Sequence, residues 1–261
     1  MIPEQERVSV FSDLYISGIK LKKELKCEET YVANLPCLKG FEQLSFNKKV
    51  TFLVGENGSG KSTLLEAIAV NMGFNAEGGT MNFNFASQET HSSLYRHITS
   101  IKGVKRPKDG FFLRAESFYN VASEIDKLDS EPSFGPPIKM SYGGVSLHEQ
   151  SHGESFMALA LNRFRGHGLY ILDEPEAALS PSRQLSLLVK INELVKSNSQ
   201  FIIATHSPLL LAFPDSEILM LDEKGINSTP YEETEHYIIT KQFLNNPKKM
   251  LDLLFNEKGE Y

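Results

Sequence analysis

Apolar residues fall along this chain in short, nearly unbroken runs: around Leu53 and at 111–113, 169–172, 201–204 and 218–221. Runs with so little alternation read as strands buried on both faces. Between them the apolar positions change to helical spacing. Residues 62–72 set Leu64, Leu65, Ile68, Ala69 and Met72 along a helix. Ser180-Pro181 reads as an N-cap and first-turn proline, opening a helix with Leu185, Leu188, Val189 and Val195 on one side. Residues 156–164 form a further helical stretch, and residues 232–255 an outer helical segment broken near Asn246-Pro247. Strands alternating with helices predict an α/β fold with a mainly parallel central sheet flanked by helices. Two stretches alternate instead, one with Val8, Val10, Leu14, Ile16 and Ile19, the other at 78–86 with Met81, Phe83 and Phe85. They predict half-exposed antiparallel strands in a smaller β layer. Residues 127–145 hold three prolines and three glycines with no periodic face, which predicts a loop or lid.

Composition narrows the class. A chain of 261 residues, 41% hydrophobic and 23% charged, can bury a substantial core. The net charge of -6 excludes a surface basic all over, so nucleic-acid contact would need a local patch. Two clusters qualify for inspection: Lys20, Lys22, Lys23 and Lys26, and Lys102, Lys105, Arg106 and Lys108. Both are interrupted and read as solvated surface. Cys27 and Cys37 lack the second pair a zinc site needs, which suits a reduced, cytoplasmic chain. The opening MIPEQERVSV does not read as a secretion signal, and the most apolar window, 208–214, is far shorter than a membrane helix.

The chemistry concentrates in four segments. Gly55-Glu56-Asn57-Gly58-Ser59-Gly60-Lys61-Ser62-Thr63 matches the G-x4-G-K-[ST] phosphate loop, after a strand and opening a helix. Its glycines let consecutive N–H groups converge on phosphate oxygens, and the helix N-terminus favours the anion. Lys61 would reach the β- and γ-phosphates and Ser62 would ligate Mg2+. The strand at 168–173 ends in two carboxylates that divide labour: Asp173 for the Mg2+ shell, Glu174 to polarise an attacking water. His206, in Ala204-Thr205-His206-Ser207, ends the next strand at the same sheet edge, placed for a γ-phosphate contact. Gln150-Ser151-His152-Gly153-Glu154-Ser155 opens a helix and forms a second anion-binding edge. The phosphate loop already covers one side of a nucleotide, so this surplus edge suits the nucleotide of another subunit.

In that order the motifs resemble those of the ATP-binding-cassette (ABC) ATPases, over residues 50–207. Carried over, Ser151, Gly153 and Glu154 stand where the family's signature S-G-G-E/Q stands, with His152 in place of its first glycine. Ala177-Ala178-Leu179-Ser180 takes the place of the loop linking two active sites across a dimer. Glu116, in FFLRAESF, falls at the family's Mg2+-touching glutamine, with Gln88 as the rival, and Tyr31 falls where adenine is stacked. The resemblance implies one ABC-type ATPase domain over 1–261 with a reduced lid and signature insertion at about 117–165, binding ATP and Mg2+. Among such heads the chain looks like the RecF and chromosome-maintenance type, and like small bacterial ATPases carrying FFLRAESF and HEQSHGES. It implies hydrolysis by an ATP-dependent homodimer acting as switch or clamp, with DNA, RNA or another protein as partner, in repair or genome defence. The alternative is the ATP-binding subunit of a membrane transporter. Only 34 residues, 117–150, separate Glu116 from the signature, against the larger helical subdomain a transporter engine uses to dock its membrane partner. A kinase would not need the signature, and Asn47-Lys48-Lys49-Val50 lacks the aspartate that reads guanine.

Overall fold

The computed structural model describes residues 13–22, 32–81, 92–114, 118–130, 137–144, 146–149 and 151–256. Val8, Val10, Lys23, Lys26, Cys27, Tyr31, Phe83, Phe85, Gln88 and Glu116 lie outside these residues, as does the side chain of His152.

Among the described residues nine strands form two sheets: β1 (Ile16–Leu21), β2 (Gln43–Ser45), β3 (Val50–Val54), β4 (Ile98–Lys102), β5 (Asp109–Arg114), β6 (Gly168–Asp173), β7 (Gln200–Ala204), β8 (Glu217–Asp222) and β9 (Gly225–Ser228). The helices are α1 (Lys61–Met72), α2 (Leu94–His97), α3 (Phe118–Ser130), α4 (His152–Asn162), α5 (Pro181–Lys196), α6 (Pro208–Leu211), α7 (Glu235–Asn245) and α8 (Pro247–Asn256). The large sheet has the order β5-β6-β7-β3-β8-β9. Every neighbouring pair in it is parallel except β8 with β9. The five apolar runs of the sequence are β3, β5, β6, β7 and β8, and β3, β6 and β7 are buried along their whole length. Alternate residues feed opposite layers: Leu53, Leu169, Ile171 and Ile202 pack with α1, whereas Phe52, Tyr170, Phe201 and Ile203 pack with α4 and α5.

The small sheet, β2-β1-β4, is antiparallel as the alternating opening segment predicts. β2 and β4 are half-exposed as expected, with Gln43, Ser45, Thr99 and Lys102 facing outward, and β1 exposes Lys20. Ile16 and Ile19 are fully buried because α1 lies between the two sheets, sharing one apolar cluster with both. That position explains why Leu64, Leu65, Ile68 and Ala69 have no accessible surface, since a helix enclosed on two sides is apolar nearly all round. The second alternating stretch contributes, among the described residues, only a bridge from Gly79 to Phe112 of β5.

Two expectations are corrected. On α5 the buried stripe is Leu187, Ile191 and Leu194, while Leu185 and Val189 face solvent at 53% and 60% exposure. Apolar residues lie on more than one side of this helix, so its neighbours and not its periodicity choose the inner face. Residues 127–130 are helical, as the last turn of α3. The Asp129 carboxylate accepts hydrogen bonds from the Ile138 and Lys139 amides, joining that turn to the short 3-10 segment Ile138–Tyr142. The C-terminal break is where Asn246-Pro247 predicts it, between α7 and α8. Among the described residues no helix is long and apolar enough to cross a membrane.

Candidate functional site

Strands β6, β7 and β3 are adjacent and parallel, so the segments that leave their carboxyl ends meet at one edge. Those segments begin with Glu174, Thr205 and Gly55. The loop 55–60 bends tightly. A Cβ at Gly55 would lie 2.3 Å from the Leu221 carbonyl of β8, so the loop leaves β3 against its neighbour's backbone. Gly60 caps α1 with φ 99°, and a Cβ there would meet the Cys37 sulfur at 2.8 Å. Burial pushes that thiol up to about 11, so Cys37 acts as an apolar floor beneath the loop.

Lys61 is 5% exposed, and its ammonium donates to the Gly55 and Glu56 carbonyls at 2.8 and 2.9 Å. Burial lowers its pKa, while the carboxylates of Glu174, Asp173 and Glu176 pull the other way. The Ser62 hydroxyl donates to Asp173 Oδ1 at 3.0 Å. Ser59 Oγ is buried without a hydrogen-bond partner among the described residues. An orphaned donor, a buried cation and an uncapped helix N-terminus on one loop fit a phosphate group. The adjoining Ser62–Asp173 oxygens fit the hard-oxygen preference of Mg2+.

Beyond β6 the backbone turns abruptly. Glu174 has φ 48° and ψ 53°, a left-handed conformation uncommon outside glycine, and its amide donates to the Ala204 carbonyl at 2.9 Å. Strain held at a sheet edge of this kind points to function. The Glu174 Oε1 atom lies 3.7 Å from His206 Nε2. The His206 amide donates to Glu176 Oε1 at 2.6 Å, so the turn after Glu174 also fixes the backbone of the histidine. Burial raises the Glu176 pKa, and the hydrogen bond from His206 opposes that rise. A cavity of about 1090 Å³ is lined by the loop 55–59, Glu174, His206, residues 220–224, Pro36, and Glu235 and His236 of α7.

Ser151, Gly153 and Glu154 are absent from the described lining of that cavity. They open α4 elsewhere, with Ser151 and Glu154 exposed. The Ser151 hydroxyl and amide both donate to Glu154 Oε2, at 2.6 and 3.1 Å, which reduces the Glu154 pKa. A Cβ at Gly153 would meet the Ala178 carbonyl at 2.5 Å and Arg183 Nη1 at 2.7 Å. The helix start is therefore pressed onto the turn Pro175–Ala178 that follows Glu174.

Several partners were invisible to sequence reading. Glu176 and His236 carry no motif of their own. Neither does the ion pair of Arg114 at the end of β5 with buried Glu66 of α1, at 2.5 Å, which ties the strand leading to Glu116 onto the helix that follows the phosphate loop.

A glycine-rich loop between a buried strand and a helix, with carboxylates on a nearby parallel strand, defines a P-loop nucleotide-binding domain. Residues 31–123 match a family described as "AAA domain", and residues 138–212 one described as "AAA domain, putative AbiEii toxin, Type IV TA system". Over these two stretches the chain is similar to AAA domains, and together with the phosphate loop and the carboxylates of β6 this supports an ABC-type P-loop ATPase. The chain is 26% identical over 67% of its length to an uncharacterized ABC transporter ATP-binding protein of Haemophilus influenzae, covering 71% of that protein. An energy-coupling factor transporter ATP-binding protein of Mycoplasmoides gallisepticum is 24% identical over 84% of this chain and 74% of its own length. A retron Vc95 probable ATPase of Vibrio cholerae is 28% identical over 44% of this chain and 25% of its own. Among solved structures, CbiO1 of Clostridium perfringens, described as part of an ABC transporter complex, aligns with a TM-score of 0.46 at 17% identity, over 90% of this chain and 97% of that one.

Proposed function

We propose that the protein hydrolyses ATP in a Mg2+-dependent reaction, and that two copies close head to tail around two ATP molecules, so that the chain works as a switch or clamp. One observation carries the hydrolytic reading: Lys61, the Ser62–Asp173 pair, Glu174 and His206 converge where three neighbouring segments meet. The amides of loop 55–60, with Ser59 and Lys61, would hold the β- and γ-phosphates, and Thr63 extends this edge into α1. Ser62 and Asp173 would hold Mg2+, which supplies charge neutralisation at the phosphates when bound. Glu116 stays in this scheme as a Mg2+ and γ-phosphate sensor on its sequence position. Glu174 serves as general base toward water and His206 contacts the γ-phosphate. Ser151, Gly153 and Glu154 would complete the site of the other copy.

The test is steady-state phosphate release by the purified chain and by Glu174→Gln. Loss of a general base costs on the order of 100-fold in turnover while ATP still binds. Equal rates for the two proteins would sink the assignment of Glu174.

The names of the relatives support a second reading, an ATP-binding subunit of a membrane transporter. The AbiEii-type match and the retron ATPase support a role in genome defence with a protein or nucleic-acid partner. Between β5 and α4 the described residues hold one α-helix of 13 residues, a small surface on which to seat a membrane domain. Copurification of the tagged chain with a membrane protein would favour transport, and a salt-dependent, ATP-dependent shift of a DNA duplex would favour the clamp.

A further inference from the structure

The first turn of α7 reaches the nucleotide cavity, although nothing in the phosphate-binding motifs calls for it. Thr234 is fully buried and holds the start of this helix: its hydroxyl donates to the Tyr231 carbonyl at 2.7 Å and accepts from the Tyr237 amide at 3.3 Å. Tyr231 in turn donates to the Pro208 carbonyl at 2.9 Å, two residues beyond His206. The helix is thus pinned to the segment that carries His206. Its second residue, His236, brings Nε2 to 3.0 Å from His206 Nδ1, with the rings 5.2 Å apart.

A hydrogen bond between two imidazole nitrogens needs one N–H and one lone pair. Two imidazolium rings cannot make it, because neither retains an acceptor. Burial lowers the pKa of both histidines; Lys61 lowers His206 further, and each ring is opposed by acids, Glu174 for His206 and Glu235 and Glu176 for His236. With both rings neutral, two arrangements remain. If His206 Nδ1 donates, its Nε2 turns a lone pair toward the Glu174 carboxylate 3.7 Å away, lone pair against anion. If His236 Nε2 donates, His206 carries its proton on Nε2, and an N–H faces Glu174 and the cavity wall where the proposed γ-phosphate lies. Electrostatics selects the second arrangement, since the carboxylate that His206 Nε2 faces at 3.7 Å is an anion and favours an N–H over a lone pair.

We infer that His236 is a positioning residue for the nucleotide site: by donating from Nε2 to His206 Nδ1 it fixes the tautomer and ring orientation that aim the His206 N–H at Glu174 and the γ-phosphate. This inference rests on the proposed role of His206 and extends it to a residue of the C-terminal helices. Partners that orient a functional histidine through its second nitrogen commonly cost about 10- to 100-fold when removed.

The experiment uses the full chain labelled with 15N-histidine, and compares wild type with His236→Gln, which keeps an N–H donor, and His236→Leu, which keeps none. Long-range 1H–15N correlation spectra without nucleotide report which nitrogen of His206 is protonated. The expected result is an Nε2–H tautomer in wild type and His236→Gln, and a mixed population in His236→Leu. In ATP turnover, His236→Leu should lose about tenfold or more in kcat with little change in KM, and His236→Gln should recover most of it. An Nδ1–H tautomer in wild type, or a His236→Leu variant with wild-type tautomer and kcat, would overturn the inference. If wild type itself released no phosphate, the hydrolytic reading would fall, while the tautomer spectra would still decide the pairing of His206 with His236.

Discussion

Lys61 illustrates how much a single side chain carries here. Its ammonium is buried, yet its hydrogen bonds run to two carbonyls of its own loop, Gly55 and Glu56, and three carboxylates stand nearby. The charge is thus kept in a region where burial alone would disfavour it, and it holds the loop in its bent form. Replacing it removes the brace across the loop and the charge that, in the proposed scheme, would face the phosphates. Lys61→Ala should therefore weaken ATP binding by more than tenfold, which corresponds to about 1.4 kcal/mol or more. Calorimetric titration with the non-hydrolysable analogue of ATP checks this, and unchanged affinity would show that the loop amides alone bind the phosphates. His206 and Glu174 differ from Lys61 in kind. Their relation depends on the left-handed backbone at Glu174 and on the hydrogen bond from the His206 amide to Glu176, neither of which is written in a motif.

At the scale of elements, the strands of the large sheet were legible because each is buried on both faces and leaves an unbroken apolar run. The phosphate loop was legible because its glycines are forced by close approach, as at Gly55 against the Leu221 carbonyl. The inner face of α5 was not legible, because Leu185 and Val189 are as apolar as Leu187 and Ile191 and only the packing partner separates them. Nor was the place of α1 between two sheets, which only the tertiary packing sets. The polar link between those sheets was hidden for the same reason. Gln200, buried at the start of β7, donates to the Ile16 carbonyl at 2.8 Å and accepts from the Tyr15 and Ile16 amides at 2.8 and 3.1 Å. A glutamine just ahead of an apolar run looks like a solvated strand end, yet it satisfies three main-chain groups at the start of β1. Gln200→Leu keeps the volume and strands those groups, so unfolding free energy should fall by ~3 kcal/mol. A urea titration of the two proteins measures this; a change below about 0.5 kcal/mol would mean that water replaces the side chain.

For the whole molecule, the distribution of the site residues poses a single question: what the exposed start of α4 is for. Its Ser151 and Glu154 face outward, away from the described lining of the nucleotide cavity, and so gain nothing from that ATP within one chain. Yet the same helix start is fastened to the turn that carries Glu174. Gly153 sits on the Ala178 backbone, and Arg183 of α5 reaches Glu154 at 3.4 Å, so the start of α4 packs directly on the turn after Glu174. A two-fold dimer would use both surfaces at once, each copy placing its α4 edge on the other's bound phosphates. ATP would then stabilise the dimer by binding it more tightly than it binds the separated chains. Glu174→Gln, which should bind ATP without cleaving it, should accordingly double its solution mass on adding Mg-ATP, remain a single chain with Mg-ADP, and stay single with either nucleotide once Ser151→Arg is added. Light scattering at fixed protein concentration reads all three. A mass unchanged by Mg-ATP, with binding confirmed by titration, would mean that the α4 edge does not meet a second copy of this chain, and its partner would have to be a different protein offering a phosphate loop of its own.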